Sequence, residues 1–142
     1  MTSYVEHANI SVVDMAHTTQ FLLAAIPSWE VRGGGEYQNV DGETVEWNHI
    51  GDEQSYIALN SLGEGTQGEW TDRFTGVKHI GIAVPNVDNL IARLSQAGFE
   101  LDHWGAEHPH RKNVYYVDKH NVQFEFIEYY SDKAEERNDY QQ

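Results

Sequence analysis

From residue 6 the stretch YVEHANISVV (residues 4–13) alternates, with Ala8, Ile10 and Val12 on one side and His7, Asn9 and Ser11 on the other. A period of two marks a strand with one buried face. The period then lengthens: Asp14 is placed to cap a helix whose Met15, Thr18, Leu22 and Ala25 recur at helical spacing, and Pro27 ends it. SWEVR, ETVEWNHI and SYIALNS follow as short strands, separated by Gly33–Gly35 and by a turn at Gly51 and Asp52. The predicted order is βαβββ.

The same order recurs. KHIGIAV reads as a strand, and PNVDNLIARLSQAG as a helix capped by Asn86 and closed by Gly98, with Val87, Leu90, Ile91, Leu94 and Ala97 on one face. FELDHW, NVYYVD and VQFEFIEYY supply three more strands. The chain therefore divides into module 1 (4–61), a Gly-rich polar linker (62–76), module 2 (77–130) and a charged tail (131–142), which is a short solvated helix or nothing fixed. Two copies at a period of about 70 residues form a pseudo-twofold pair, since a solenoid needs at least about three. The expected fold class is α+β, with a helix covering one face of each four-stranded sheet. The free faces would pair into a cup-shaped, partly open mixed β-barrel with the helices outside.

Alternation decides what lines those free faces. His79 occupies in the second module the place of His7 in the first, opposite Ile80, Ile82 and Val84 and beside the small residues Gly81 and Ala83. Aligning GDEQSYIALNS with DKHNVQFEFIE matches Ile57 to Phe124 and Leu59 to Phe126, so Ala58 falls at the place of Glu125. The free faces thus carry His7, His79 and Glu125, with a vacancy at Ala58. Two neutral imidazoles and one carboxylate suit one divalent ion (Fe, Mn, Co, Ni or Zn) and leave positions open for substrate. Pairing VEWNHIG with NVYYVD matches His49 to Tyr116 and Trp47 to Val114, which makes His49 a candidate general base and Tyr116 a candidate proton donor. Asn9, Trp47, Ala58, Asn60 and Tyr116 are the candidate substrate-binding residues.

Composition narrows the partners. With 142 residues the chain fits one compact domain, and 23 acidic against 9 basic residues give a net charge of −14, which opposes nucleic acid and anionic membranes. Cysteine is absent, so thiol chemistry and disulfides are excluded and metal ligands must come from His, carboxylate or carbonyl groups. There is no secretory signal pattern and no apolar run of roughly 18 residues, so a cytoplasmic protein is expected. HPHRK (108–112) gathers cations in an acidic chain and reads as a solvated hairpin loop or as a clamp for an anionic substrate group. Gly33–Gly35 lack the helix start and the Lys-Ser/Thr of a phosphate loop, and read as a turn or mobile lid.

EHANISVVDM, KHIGIAVPNVDNLIARLSQAGFEL and YYVDKHNVQFEFIEY resemble the vicinal oxygen chelate superfamily, which includes glyoxalase I, extradiol dioxygenases, and fosfomycin- and bleomycin-resistance proteins. The resemblance covers residues 4 to 130. It implies metal ligands on the first and last strands of each module, at His7, Ala58, His79 and Glu125, and so supports three ligands and denies the fourth. It implies a homodimeric enzyme acting on a small oxygen-rich molecule: a lyase or isomerase first, then extradiol-type oxygenation, then group transfer to an antibiotic. The alternative it implies is a metal-free protein of the bleomycin-resistance type, for which the negative charge and aromatic content would favour a cationic or hydrophobic ligand.

Overall fold

The computed structural model describes residues 1–141 and resolves into two compact units, Met1–Gly65 and the remainder from Thr66. The first contains β1 (His7–Ser11), α1 (Met15–Ala25), β2 (Glu30–Gln38), β3 (Thr44–Gly51) and β4 (Tyr56–Asn60). The second contains β5 (Ile80–Ala83), α2 (Val87–Gln96), β6 (His103–Trp104), β7 (Arg111–Val117), β8 (Gln123–Tyr129) and a short α3 (Ala134–Arg137). Each unit has an open four-stranded mixed sheet, ordered β1-β4-β3-β2 and β5-β8-β7-β6, in which the first strand runs parallel to the last and the other pairings are antiparallel. The fold is mixed α+β, built from two βαβββ modules.

The two longer helices, α1 and α2, start where a side chain can take an unpaired backbone N–H. Asp14 accepts from the His17 N–H at 3.0 Å, and Asn86 from the Asn89 N–H at 2.8 Å. The α2 start has a second acceptor, because Glu128 Oε1 on β8 takes the Val87 N–H at 2.8 Å. Gly98, at φ +92, ends α2 in the left-handed region that favours glycine. The apolar stripe of α1 buries Phe21, Leu22 and Ala25, and that of α2 buries Val87, Leu90 and Leu94. In the first sheet Ile50, Ile57 and Leu59 are buried, and in the second Val114, Tyr116, Phe124 and Phe126. His7, Asn9 and Ser11 are exposed along β1, as are His79, Gly81 and Ala83 in the second unit.

The repeat extends to the hydrogen-bond register. Asn9 lies opposite Ala58 in the first sheet and Gly81 opposite Glu125 in the second, so Ala58 does take the place of Glu125.

Four expectations change. Gly33–Gly35 are neither a turn nor a lid: they lie inside the nine-residue β2, paired with His49, Asn48 and Trp47. A Cβ on Gly34 would stand 2.9 Å from the Trp47 carbonyl, and one on Gly35 3.3 Å from the Trp47 indole nitrogen, so bare backbone lets β2 approach β3 and its tryptophan. FELDHW contributes only the two-residue β6. Tyr116 faces the core rather than the free face, lying opposite Phe124 with 4% exposure and its ring edge-on to Phe126. The residue matching His49 is Tyr115, opposite Glu125 as His49 is opposite Ala58. The β7–β8 hairpin is one residue longer than β3–β4, and a one-residue slip exchanges the two faces of a strand.

The predicted linker is also structured. Gln67 exchanges hydrogen bonds with Asn121, its Nε2 donating to the Asn121 carbonyl at 2.7 Å and its own carbonyl accepting from Asn121 Nδ2 at 3.0 Å. This ties the segment to the β7–β8 turn. The charged tail forms α3 against the HPHRK segment: His110 Nδ1 lies 3.4 Å from Glu136 Oε2, and His108 Nε2 3.0 Å from the Asp139 carbonyl. The last predicted tail position, 142, lies outside the described residues.

Candidate metal centre

In the second unit His79 precedes β5 and Glu125 sits on the neighbouring β8, with His79 Nε2 2.9 Å from Glu125 Oε2. Parallel pairing of β5 with β8 puts both on the face opposite buried Phe124 and Phe126. Glu125 is largely buried, its side chain 13% exposed, whereas His79 is 36% exposed and open to an incoming ion. The other carboxylate oxygen, Oε1, accepts from Asn113 Nδ2 at 2.8 Å.

The next strands extend the face. Tyr115 meets His79 edge-on with ring centroids 5.4 Å apart, and stacks flat on His103 at 4.5 Å. Trp70, from the predicted linker, stacks on the other side of His103 at 4.4 Å. Asp102 Oδ2 holds His103 Nδ1 at 2.6 Å. Burial first, then the Glu125 charge, pushes the Tyr115 hydroxyl above its ordinary value, so it stays protonated at neutral pH. Gln123 belongs to the same face as Glu125, is 4% exposed, and has an amide Oε1 buried without a hydrogen-bond partner.

The first unit carries the pseudo-symmetric counterpart. His7 lies opposite Tyr56 and stacks on its ring, centroids 4.8 Å apart and planes 8° apart. His7 Nδ1 is 2.9 Å from Glu6 Oε1, which leaves Nε2 as its free nitrogen. His49 stacks on Tyr56 at 4.4 Å, Trp47 lies 5.0 Å from His49, and the Arg32 guanidinium lies 4.3 Å over the Tyr56 ring. Burial, then Arg32 and His7, holds the His49 pKa below its ordinary value, so its imidazole is neutral and able to accept a proton at pH 7. Asn60 donates through Nδ2 to Asn9 Oδ1, and Ala58 is buried on β4 between Asn9 of β1 and His49 of β3.

Of the predicted ligands the structure thus joins His79 to Glu125, while His7 stands in the first module. Among the described residues no group of three or more His, Asp or Glu side chains suited to a metal ion is gathered. The pair itself fits such an ion. Ligand atoms each about 2.1 Å from one ion and at right angles lie about 3 Å apart, close to the His79–Glu125 separation.

Tyr115, Asn113, His103, Trp70, Tyr56, Arg32 and Gln123 were missed from sequence. The available signal for Tyr115 and Asn113 was alternation counted back from Glu125 along β8 and β7. The HPHRK cations are already engaged: Lys112 Nζ pairs with Asp88 Oδ1 at 2.7 Å, and Arg111 reaches the Arg137 carbonyl at 3.4 Å. They border an open cleft of about 910 Å³ that also includes Trp104, Asn113 and Tyr130.

No protein-family model matches this sequence, and no curated protein matches it either. Solved structures do. The fosfomycin resistance protein FosX from Listeria monocytogenes, complexed with Mn(II) and sulfate, is 21% identical with a TM-score of 0.66, over 96% of this chain and 98% of that one. A glyoxylase/bleomycin resistance protein/dioxygenase domain from Frankia sp. EAN1pec is 21% identical with a TM-score of 0.68, over 91% and 99%. The chain shares the fold of these structures. A glyoxalase family protein from Bacillus cereus shares that fold at 14% identity, with a TM-score of 0.70 over 92% of this chain and 97% of that chain. An altered form of the Listeria protein was crystallised with Mn(II) and 1S,2S-dihydroxypropylphosphonic acid.

Proposed function

We propose that this protein is a divalent-metal enzyme acting on a small oxygen-rich molecule, with the ion held by His79, Glu125 and His7. The observation that carries the reading is the approach of His79 Nε2 to Glu125 Oε2 at 2.9 Å, a nitrogen and an oxygen donor spaced as neighbouring ligands of one ion. His7, through its free Nε2, completes the set from the first module of this chain or of a second copy in a homodimer. Ala58 leaves the fourth place without a protein ligand, open to substrate. When bound, the ion supplies Lewis acidity to a substrate oxygen.

The chain's own residues do the rest. Neutral His49 is the proton acceptor on the first module. Tyr115 takes over the donor role expected of Tyr116, because it lies beside Glu125 and keeps its proton. Trp47, Asn9 and Asn60 line the first face where a substrate would rest. Reaction type follows the order expected from sequence: lyase or isomerase, then extradiol-type oxygenation, then group transfer. Mn(II) is the first ion to try, since the Listeria neighbour holds it.

The decisive experiment is elemental analysis of the purified protein with Mn(II) titration. His79→Ala and Glu125→Ala are each expected to abolish stoichiometric binding while the fold persists by circular dichroism. A native protein that carries no metal and takes up none would sink the reading in favour of a metal-free binding protein.

A further inference from the structure

A carboxylate can offer an ion one oxygen or two, and the groups around Glu125 already distinguish its oxygens. Oε2 leans over β5, where a Cβ on Gly81 would make only an ordinary contact with it at 3.6 Å, and faces His79. Oε1 is taken by Asn113 Nδ2 at 2.8 Å. The other possible partner of that amide, the Tyr115 hydroxyl at 3.4 Å, is the weaker one.

Asn113 is placed by the strand beside it. The Gly105 N–H donates to the Asn113 carbonyl at 2.9 Å, which brings the end of β6 against β7. A Cβ on Gly105 would overlap the Asn113 carboxamide itself. Gly105 is not among the residues at positive φ, so its backbone does not call for glycine. The missing side chain is the seat of the Asn113 amide.

We infer that Asn113, seated on Gly105, is a positioning residue for the metal centre. It occupies Oε1 so that Glu125 presents Oε2 alone, beside His79, before any ion arrives. A ligand oriented in advance loses less side-chain freedom on binding, and a hydrogen bond to its second oxygen fixes its angle. The inference rests on the metal reading above and adds to it how Glu125 binds.

The test is Mn(II) titration into metal-free protein, comparing wild type with Asn113→Ala, Asn113→Leu, Gly105→Ala and Gly105→Ala/Asn113→Ala. Thermal melting identifies the folded variants, and Asn113→Leu keeps the bulk of the side chain if Asn113→Ala proves too unstable. Loss of an outer partner typically weakens metal affinity about 10- to 100-fold, the loss expected of each single variant. The double variant is expected to lose no more than Asn113→Ala, because removing the amide makes room for the new Cβ. The spin-resonance spectrum of bound Mn(II) should change in Asn113→Ala as the freed Oε1 reaches the ion, which a merely structural role would not produce. Unchanged affinity and spectrum in folded Asn113→Ala and Asn113→Leu, or additive losses in the double variant, would overturn the inference and leave the metal reading standing. A wild type that binds no Mn(II) overturns both.

Discussion

Tyr115 and Tyr116 adjoin in sequence and do opposite work. Tyr116 is packed beneath the sheet, where burial pushes its pKa up to about 12, while Tyr115 lies on the open face against His79 and Glu125. Two tyrosines in succession cannot be sorted by residue type, and only the hairpin register assigns them. His49 makes a testable case of a shifted residue. Its folded pKa lies below the ordinary 6.5, so between those values the unfolded chain binds more protons than the folded one. Its contribution to stability is therefore complete above pH 6.5 and is lost as the pH falls through that window. Thermal melts from pH 7.5 downward should show His49→Gln losing less stability than wild type across that interval, and parallel melting curves would contradict the assigned shift.

At the scale of elements, β2 is the segment whose sequence misleads most. Three successive glycines signal a break, because glycine loses the most chain entropy when fixed in a strand. Here they make room: Trp47 and Asn48 of β3 occupy the space that side chains on Gly34 and Gly35 would need. A Cβ on Gly33, by contrast, would meet nothing within 4 Å. Gly34→Ala should cost about 1–3 kcal/mol through overpacking, while Gly33→Ala should stay within about 0.5 kcal/mol of wild type. Urea denaturation of the two variants checks this, and equal stabilities would show that β2 does not need the close approach. The helices behave as their sequences indicate, since capping and the apolar stripe are local properties. The Glu128 contact to the start of α2 is not local and joins residues from opposite ends of the second module.

For the molecule as a whole, an ion that binds only the folded chain adds stability by mass action. Free Mn(II) at a hundred times its dissociation constant should add about 2.7 kcal/mol, seen as a rise in melting temperature that a chelator reverses. An unchanged melting temperature at saturating Mn(II) would count against a metal site. The distribution of charge also becomes legible at this scale. Several of the few basic side chains in this acidic chain are committed to internal partners, Lys112 to Asp88, Arg137 over the Tyr129 ring and Arg32 over Tyr56. No helix among the described residues is long and apolar enough to cross a membrane.

The alternation of β1 and its return at His79 determined by themselves that the chain is a duplicated βαβββ module, and that His7, His79 and Glu125 belong to the sheet faces opposite the apolar ones. Those are properties of period, and period survives without knowledge of contacts. Tertiary structure alone decided that His79 and Glu125 meet, that Tyr115 rather than Tyr116 stands beside them, that Trp70 comes out of a supposed linker to stack on His103, and that Gly105 makes room for Asn113. Each of these depends on the register of one strand against another or on space between side chains far apart in sequence. A one-residue difference in hairpin length changes the first kind, and a single Cβ changes the second.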